Sequence, residues 1–232
     1  MIAPLPSPAP TSSPLERAQG VLDWAWSSYP DEIVLACSFG GTSGMVLLDL
    51  IARSGRNVPV FYLDTGLLFD QTLALVERVR ARYGIDPIAV RPTIDLIEQA
   101  GLHGDELWLR DPDACCAIRK VEPNRAFLAN YRAWITGVRR DQSPTRSDLG
   151  YVEFDDPAGN GIAKISPLAD WSEADVRTYL EEHDVPYNEL LDRGYTSLGC
   201  KPCTRFPVDP ANPRSGRWVG FEKTECGLHS TS

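Results

Sequence analysis

The chain lacks any run of about 18 consecutive apolar residues, so nothing in it is suited to crossing a bilayer. Its first 15 residues carry five prolines and no basic residue, whereas a secretory signal needs a positive start and an unbroken apolar stretch. We therefore expect residues 1–15 to be a disordered leader and the protein to be cytoplasmic, where thiols stay reduced. The six cysteines are then predicted to be ligands or nucleophiles rather than disulfide partners.

The chain also lacks an excess of basic residues, because its formal net charge is −9. Such a charge repels nucleic acid, so we predict no nucleic-acid partner. The charge is nevertheless uneven: residues 119–146 hold seven Lys or Arg against two acids, and residues 201–217 hold four against one. Two basic segments in an acidic protein favour a pocket for a small anion, the alternative being two solvated basic faces.

Strand and helix signals alternate along the chain. Apolar runs typical of buried strands occur in EIVLACSF, VPVFYLDTG, DPIAVRP and YRAWITGVRR, and helical spacing occurs in MVLLDLIARSG and LLFDQTLALVERVRARYG. A further helix is predicted to begin after a capping Ser172 and to stop near Pro186. The alternation predicts an α/β fold with a doubly wound, mainly parallel sheet over residues 16–210. The last segment, 211–232, is expected to be an irregular, mobile C-terminal tail.

A glycine-rich loop, SFGGTSG, follows the first predicted strand and precedes a helix. The loop has neither the Walker A lysine nor the GxGxxG pattern. Because amides at a helix start attract anions, Ser38, Gly40 and Gly41 are candidates for binding an oxyanion, the alternative being a plain turn. Asp64 ends the second predicted strand and is a candidate partner for a ribose hydroxyl or a base amine, or else a helix N-cap.

Four cysteines form two pairs about 84 residues apart: adjacent Cys115 and Cys116, and the C-x-x-C pair Cys200 and Cys203. Four thiolates suit either zinc or an iron–sulfur cluster. An adjacent pair fits a cubane cluster better, because its irons are separate attachment points. Cys37, inside the first strand, is predicted to be a small buried hydrophobe.

Cys226 stands apart from these pairs, in TECGLHS near the end of the chain. A nucleophilic thiol needs exposure and freedom to move, and a tail provides both. The alternative is a structural thiol.

Taken together, SFGGTSG, LDTG, CCAIRKVEP, ITGVRRDQSPTR, GCKPCT, RSGRW and ECGLH resemble the assimilatory adenylyl-sulfate reductases, within the wider phosphoadenylyl-sulfate reductase family. The matching segments run from Glu32 to His229. The resemblance implies an adenine-nucleotide α-hydrolase-like fold. It also implies thiol-dependent reduction of adenylyl sulfate to sulfite and AMP, in sulfate assimilation and cysteine biosynthesis.

The resemblance further implies roles for individual residues. The four paired cysteines would hold a 4Fe–4S cluster, and Cys226 would be the nucleophile that forms a thiosulfonate. Lys120 would lie between cluster and substrate, and His229 near the attacking sulfur. The nucleotide would be surrounded by Ser38, Gly40, Gly41, Asp64, Arg139, Arg146, Arg214 and Arg217. Thioredoxin or glutaredoxin would donate the electrons.

Three alternatives stay open at this point. One is reduction of the 3′-phosphorylated substrate, and another is an ATP-dependent tRNA-thiolating enzyme of the same fold. The third is a non-catalytic iron–sulfur sensor, in which Cys226 has no chemical role. The oligomeric state is also open, with a homo-oligomer among the options.

Overall fold

A six-stranded sheet forms the centre of the computed structural model, which describes residues 11–155, 161–209 and 212–228. The strands are β1 (Ile33–Ala36), β2 (Val60–Leu63), β3 (Ile88–Val90), β4 (Ala133–Thr136), β5 (Val152–Asp155) and β6 (Ile162–Ile165). Their order is β3-β2-β1-β4-β6-β5, and all neighbours are parallel except β5, which runs antiparallel to β6. The predicted mainly parallel α/β fold is confirmed.

Eight α-helices accompany the sheet in the described ranges. They are α1 (Pro14–Ser28), α2 (Ser43–Ser54), α3 (Asp70–Tyr83), α4 (Leu96–His103), α5 (Leu107–Arg110), α6 (Pro112–Cys116), α7 (Glu122–Leu128) and α8 (Glu173–Glu182). The first helix begins inside the segment predicted as a leader. The predicted cap of α8 is confirmed, since the Ser172 hydroxyl accepts from the Asp175 amide at 3.1 Å. None of the helices among these residues is long and apolar enough to span a membrane.

Helices cover both faces of the sheet because successive strand side chains point to opposite sides. In β1, Ile33 and Leu35 belong to the large core that includes side chains of α1, α2, α3 and α8. Val34, between them, belongs to a smaller core with Trp134 of β4 and Leu128 of α7. This arrangement is the doubly wound architecture, with apolar side chains on both sheet faces.

The chain leaves β1 toward β2 and β3 on one side and returns to β4 on the other, so strand order reverses between β1 and β4. Crevices beyond the carboxyl ends of strands at such a point are where ligands bind in open α/β sheets. Gly137 follows β4 there. A Cβ on Gly137 would lie 2.9 Å from both the Gly44 amide nitrogen and the Ser43 Cβ. Glycine therefore allows the end of β4 to approach the start of α2.

Candidate active site

A cavity of about 650 Å³ opens at the carboxyl ends of β1 and β4. This volume suits a nucleotide-sized ligand. Of the residues predicted for the site, the cavity is lined by Ser38, Gly40, Gly41, Lys120, Arg139, Arg146, Cys200, Arg214, Arg217 and Cys226. The structure thus brings the glycine loop, five basic side chains and the last cysteine to one space.

Other predicted residues lie elsewhere. Asp64 does not line the cavity: its carboxylate accepts from the Arg91 guanidinium at 2.9 Å and from the Gly66 amide at 3.2 Å. It therefore stabilises the turn after β2, in line with the structural alternative, and its contact with a nucleotide stays a prediction. His229 lies outside the described residues.

The glycine loop is fixed by its neighbours. Phe39 is buried and has a φ of 53°, and its carbonyl accepts from the Asn188 side-chain amide at 3.0 Å. The Gly40 amide lies 3.4 Å from the Ser38 hydroxyl. At the start of α2, Thr42 makes no side-chain cap. Amides at an uncapped helix start are suited to an oxyanion, in keeping with the predicted role of the loop.

Cys115 and Cys116 end α6, and a π-helical turn over Ala117–Val121 follows them directly. The Glu122 amide bonds back to the Ala117 carbonyl, five residues earlier. Pro123, which has no N–H to donate, comes next and leaves the helical bonding pattern open at this point. Such π turns occur frequently at functional sites.

Cys200 immediately precedes a 3₁₀ turn over Lys201–Cys203, and Cys203 is the last residue of that turn. The Lys201 amide donates to the Leu67 carbonyl at 2.7 Å, which ties this turn to the segment after β2. From the same segment, the Thr65 hydroxyl lies 3.3 Å from the Cys200 sulfur. The second cysteine pair is therefore anchored to the sheet.

The two cysteine pairs interact electrostatically across the fold. Burial, reinforced by neighbouring cysteines of both pairs, raises the pKa of Cys115 and of Cys203 to about 11. Within the described ranges, no group of three or more His, Cys, Asp or Glu is placed to hold a single metal ion. The four thiols are nevertheless near enough to one another to interact electrostatically. Cys37 is buried inside the core, as predicted.

Lys120 links the thiols to the cavity. It belongs to the π-helical turn, is 9% exposed and lines the cavity. Burial by itself lowers the pKa of Lys120, but the nearby Cys200, Cys226 and Cys116 outweigh burial, and the pKa is raised. The ammonium group therefore stays charged beside the cavity.

The buried arginines differ in how far their charge is already balanced. Arg139 donates to the carboxylates of Asp141 at 2.9 Å and Glu173 at 2.8 Å, so two acids offset its charge. Arg217 donates to backbone carbonyls and stacks on Trp218, 4.4 Å from the ring centre. Burial, together with the adjacent Arg214, lowers the pKa of Arg217. Arg217 is thus the better placed of the two to meet an anion.

The C-terminal segment through Leu228 is docked over this cavity. Glu225 accepts from Arg146 at 2.8 Å and from Arg214 at 3.2 Å, immediately before Cys226. Glu225 is the acidic residue of the ECGLH motif, but its pairing with Arg146, 79 positions away, is not visible in the sequence. The motion predicted for residues 211–232 stays a prediction.

Comparison with known proteins gives the family. The sequence profile of the phosphoadenosine phosphosulfate reductase domain matches residues 32–206. The chain is 48% identical to adenosine 5′-phosphosulfate reductase 2 of Bacillus subtilis over 210 residues, 90% of this chain and 88% of that protein. It is also 48% identical to adenosine 5′-phosphosulfate reductase of Geobacillus thermodenitrificans over 223 residues, 96% of this chain and 94% of that protein.

Solved structures agree with this assignment. A phosphoadenylyl-sulfate reductase from Candida auris, 36% identical, superposes with a TM-score of 0.70 over 84% of this chain and 91% of that one. FMN adenylyltransferase of Candida glabrata, 19% identical, has a TM-score of 0.60 over 88% of this chain and 70% of that one, and shows the fold alone. The chain belongs to the phosphoadenosine phosphosulfate reductase family, with a nucleotide α-hydrolase-like fold, as predicted.

Proposed function

We propose that this chain reduces adenylyl sulfate to sulfite and AMP, with Cys226 as the nucleophile. The observation that carries the proposal is that Cys226 lines the same cavity as the glycine loop and the basic side chains. The relatives named adenosine 5′-phosphosulfate reductase support this substrate. The reaction belongs to sulfate assimilation and cysteine biosynthesis, in the cytoplasm.

In the first step the Cys226 thiolate attacks the sulfur of the sulfate group. A sulfur–sulfur bond forms as the sulfur–oxygen bond to the phosphate breaks, and the electron pair leaves on an oxygen of AMP. The obstacle is repulsion between two anions. Arg214 and Arg217 offset it by forking onto phosphate or sulfonate oxygens, and Lys120 adds a compact positive charge.

In the second step a thiolate of thioredoxin or glutaredoxin attacks the Cys226 sulfur. The bond to the sulfonate breaks, and sulfite leaves with the electron pair. The donor's second thiol then resolves the mixed disulfide and frees Cys226. The two electrons that the dithiol loses are the two that the sulfate sulfur gains.

The four paired cysteines fit a 4Fe–4S cluster. The support is the chemistry of the donor set, which is four thiols in two pairs that interact electrostatically with one another. Cys115, Cys116, Cys200 and Cys203 would hold the cluster. When bound, it supplies a fixed charge and a cross-link between the two pairs. Lys120 and Cys200 both line the cavity that would receive the substrate, so the cluster would lie at its edge, with the ammonium group beside it.

The test is a single turnover of anaerobically purified protein with adenylyl sulfate, followed by mass spectrometry of the peptide that contains Cys226. We expect a sulfonate-sized addition there, and sulfite once reduced thioredoxin is added. Cys226→Ser should form neither the adduct nor sulfite, but it should keep the visible absorbance of the proposed cluster. Turnover by Cys226→Ser at the native rate would contradict the proposal. Native protein that releases no sulfite would also contradict it, and that result is the one expected of a non-catalytic sensor.

A second substrate is favoured by one observation: the 36%-identical structure from Candida auris is named a phosphoadenylyl-sulfate reductase. The two more similar relatives are named for the substrate without the 3′-phosphate. We therefore expect a higher kcat/KM for adenylyl sulfate. The two substrates, compared with the same thioredoxin, decide between these activities, and a higher value for the 3′-phosphorylated form would reverse the assignment.

A further inference from the structure

A carboxylate occupies the anion-binding part of the cavity. One oxygen of Glu225 accepts from Arg146 at 2.8 Å, and the other accepts from Arg214 at 3.2 Å. Arg214 also donates to the Thr224 carbonyl at 2.9 Å. Glu225 therefore forms a forked ion pair with two of the arginines assigned to the substrate, and all three side chains line the cavity.

This carboxylate opposes the binding of an anionic substrate. A negative charge a few ångströms from a phosphate or sulfonate weakens binding in a partly buried site, where screening by salt is incomplete. Arg146 is largely buried, with 12% of its side chain exposed, and Glu225 has 21% exposed. A role for Glu225 must therefore lie elsewhere than in substrate affinity.

The role follows from the next residue in the chain, which is Cys226. The segment from Val219 to Leu228 contains no helix or strand, so regular backbone bonding does not hold it in place. Among the described residues, the ion pairs of this segment are those of Glu225 and one between Lys223 and Asp113, and Lys223 also lies over the Trp218 ring. The Glu225 anchor adjoins the thiol and fixes where it lies in the cavity.

The guanidinium groups are able to serve both Glu225 and a substrate. Each carries five N–H donors, and Arg146 uses one nitrogen for Glu225 and another for the Gln142 side chain at 2.5 Å. With the tail docked, the cavity still measures about 650 Å³. Docking of Glu225 and occupation of the cavity are therefore compatible.

We infer that Glu225 is a positioning residue that binds the tail to the substrate's own arginines, at the expense of substrate affinity. The inference rests on the proposed function. Glu225 holds the Cys226 thiolate for its attack, as the sulfur–sulfur bond forms and the bond to AMP oxygen breaks. It must then release the tail, so that an external dithiol reaches the Cys226 sulfur and sulfite departs with the electron pair.

A positioning role predicts that loss of the Glu225 charge slows adduct formation, speeds sulfite release and tightens substrate binding. All three are measured with the full, metal-loaded chain. Glu225→Gln keeps the shape and removes the charge. We expect adduct formation on Cys226 in a single turnover to slow about 10- to 100-fold, because the thiol is less well placed. Release of sulfite from the preformed adduct by reduced thioredoxin should become faster. In a Cys226→Ser background, adenylyl sulfate should bind about 3- to 10-fold more tightly, because a repulsive charge is gone.

A matched control is available in the same tail. Glu222 is exposed and forms no ion pair with any residue in the described ranges. Glu222→Gln removes the same charge three positions away, and all three measurements should stay within about twofold of native. Glu225→Asp keeps the charge but shortens the reach, so it should slow adduct formation without tightening substrate binding.

The outcomes separate the two proposals. If native protein forms no adduct on Cys226, the proposed function is wrong. If native protein forms the adduct but Glu225→Gln equals native in all three measurements, the role of Glu225 alone is wrong. Equal slowing of both half-reactions with unchanged affinity would also overturn it, because that result indicates a merely structural residue.

Discussion

The guanidinium of Arg139 donates to the carboxylate of Glu173 across 2.8 Å and thereby joins the segment after β4 to the first residue of α8. Asp141 balances the same guanidinium from a second side at 2.9 Å. Arg139 is 2% exposed, so its charge is buried and depends on these two acids. These ion pairs give Arg139 a structural role in the cavity wall, independent of any contact that it makes with a ligand.

Arg139→Ala should therefore destabilise the protein by about 2–3 kcal/mol, because a buried side chain leaves a hole and its hydrogen bonds to Asp141, Glu173 and Ser43 are lost. This corresponds to a fall in Tm of roughly 4 to 12 °C. Arg177 is the matched control, since it pairs with the same Glu173 at 3.0 Å on the helix surface. Arg177→Ala should lower Tm by only about 1 to 2 °C. Equal shifts in a thermal melt would show that the buried position does not matter.

Two glycines at the cavity should respond differently to the same added methyl group. Gly137→Ala should cost about 1–3 kcal/mol, because its Cβ would meet Ser43 and Gly44 at 2.9 Å. At Gly41 nothing lies within 4 Å of a Cβ, so Gly41→Ala should change stability by under about 0.5 kcal/mol. Because Gly41 lines the cavity, its methyl group should raise KM for adenylyl sulfate. Thermal melts and steady-state kinetics of both variants check this, and a native Tm for Gly137→Ala would contradict it.

Elements with a strong local pattern were predictable from sequence, and elements that depend on a partner were not. The runs of β1 to β4 and the cap of α8 are visible in the chain itself. In β6, the buried Lys164 interrupts the apolar run, and its ion pair with Glu153 of β5, at 3.3 Å, makes it tolerable there. Helices α4 to α7 are too short for periodicity to identify them.

The residues of the site were likewise predictable where the local sequence is unusual and unpredictable where they depend on a distant partner. Cysteine pairs, a glycine loop and clustered basic residues are unusual enough in sequence to predict a cavity. Long-range ion pairs are invisible there: Arg146 and Glu225 are 79 positions apart. The ion pair of Asp64 with Arg91, after β3, is another long-range contact that the end of a strand does not reveal in sequence.

Thiol reactivity should separate Cys37 from Cys226 over a range of pH. Burial raises the pKa of Cys37 from 9.0 to about 12, so the protonated form is favoured in the fold. Even at pH 9, only about 0.1% of Cys37 is then thiolate, the reactive form. Cys226 is partly exposed. Iodoacetamide at pH 7 and pH 9, followed by peptide mapping, should label Cys226 and leave Cys37 unmodified.

Unfolding in urea is the control for this experiment, because Cys37 should then react like any exposed thiol. The same pKa shift predicts a loss of stability at high pH. A thiol with a raised pKa contributes stability that is complete below pH 9 and declines as pH rises toward 12, by at most about 1.4 kcal/mol per pH unit. Labelling of Cys37 in the folded protein at the rate of Cys226 would contradict the assignment of Cys37 to the core.

The paired cysteines should be separable from the remaining thiols by metal content alone, without an activity measurement. Cys116→Ser or Cys203→Ser should lose iron, acid-labile sulfide and visible absorbance, because each removes one attachment point of the proposed cluster. Cys37→Ala and Cys226→Ser should retain all three, since Cys37 lies in the core and Cys226 lines the cavity. About four irons and four sulfides per native chain support a cubane, whereas about two of each indicate a smaller cluster. Zinc in their place, or full iron in Cys116→Ser, would contradict the cluster while leaving the proposed chemistry of Cys226 to its own test.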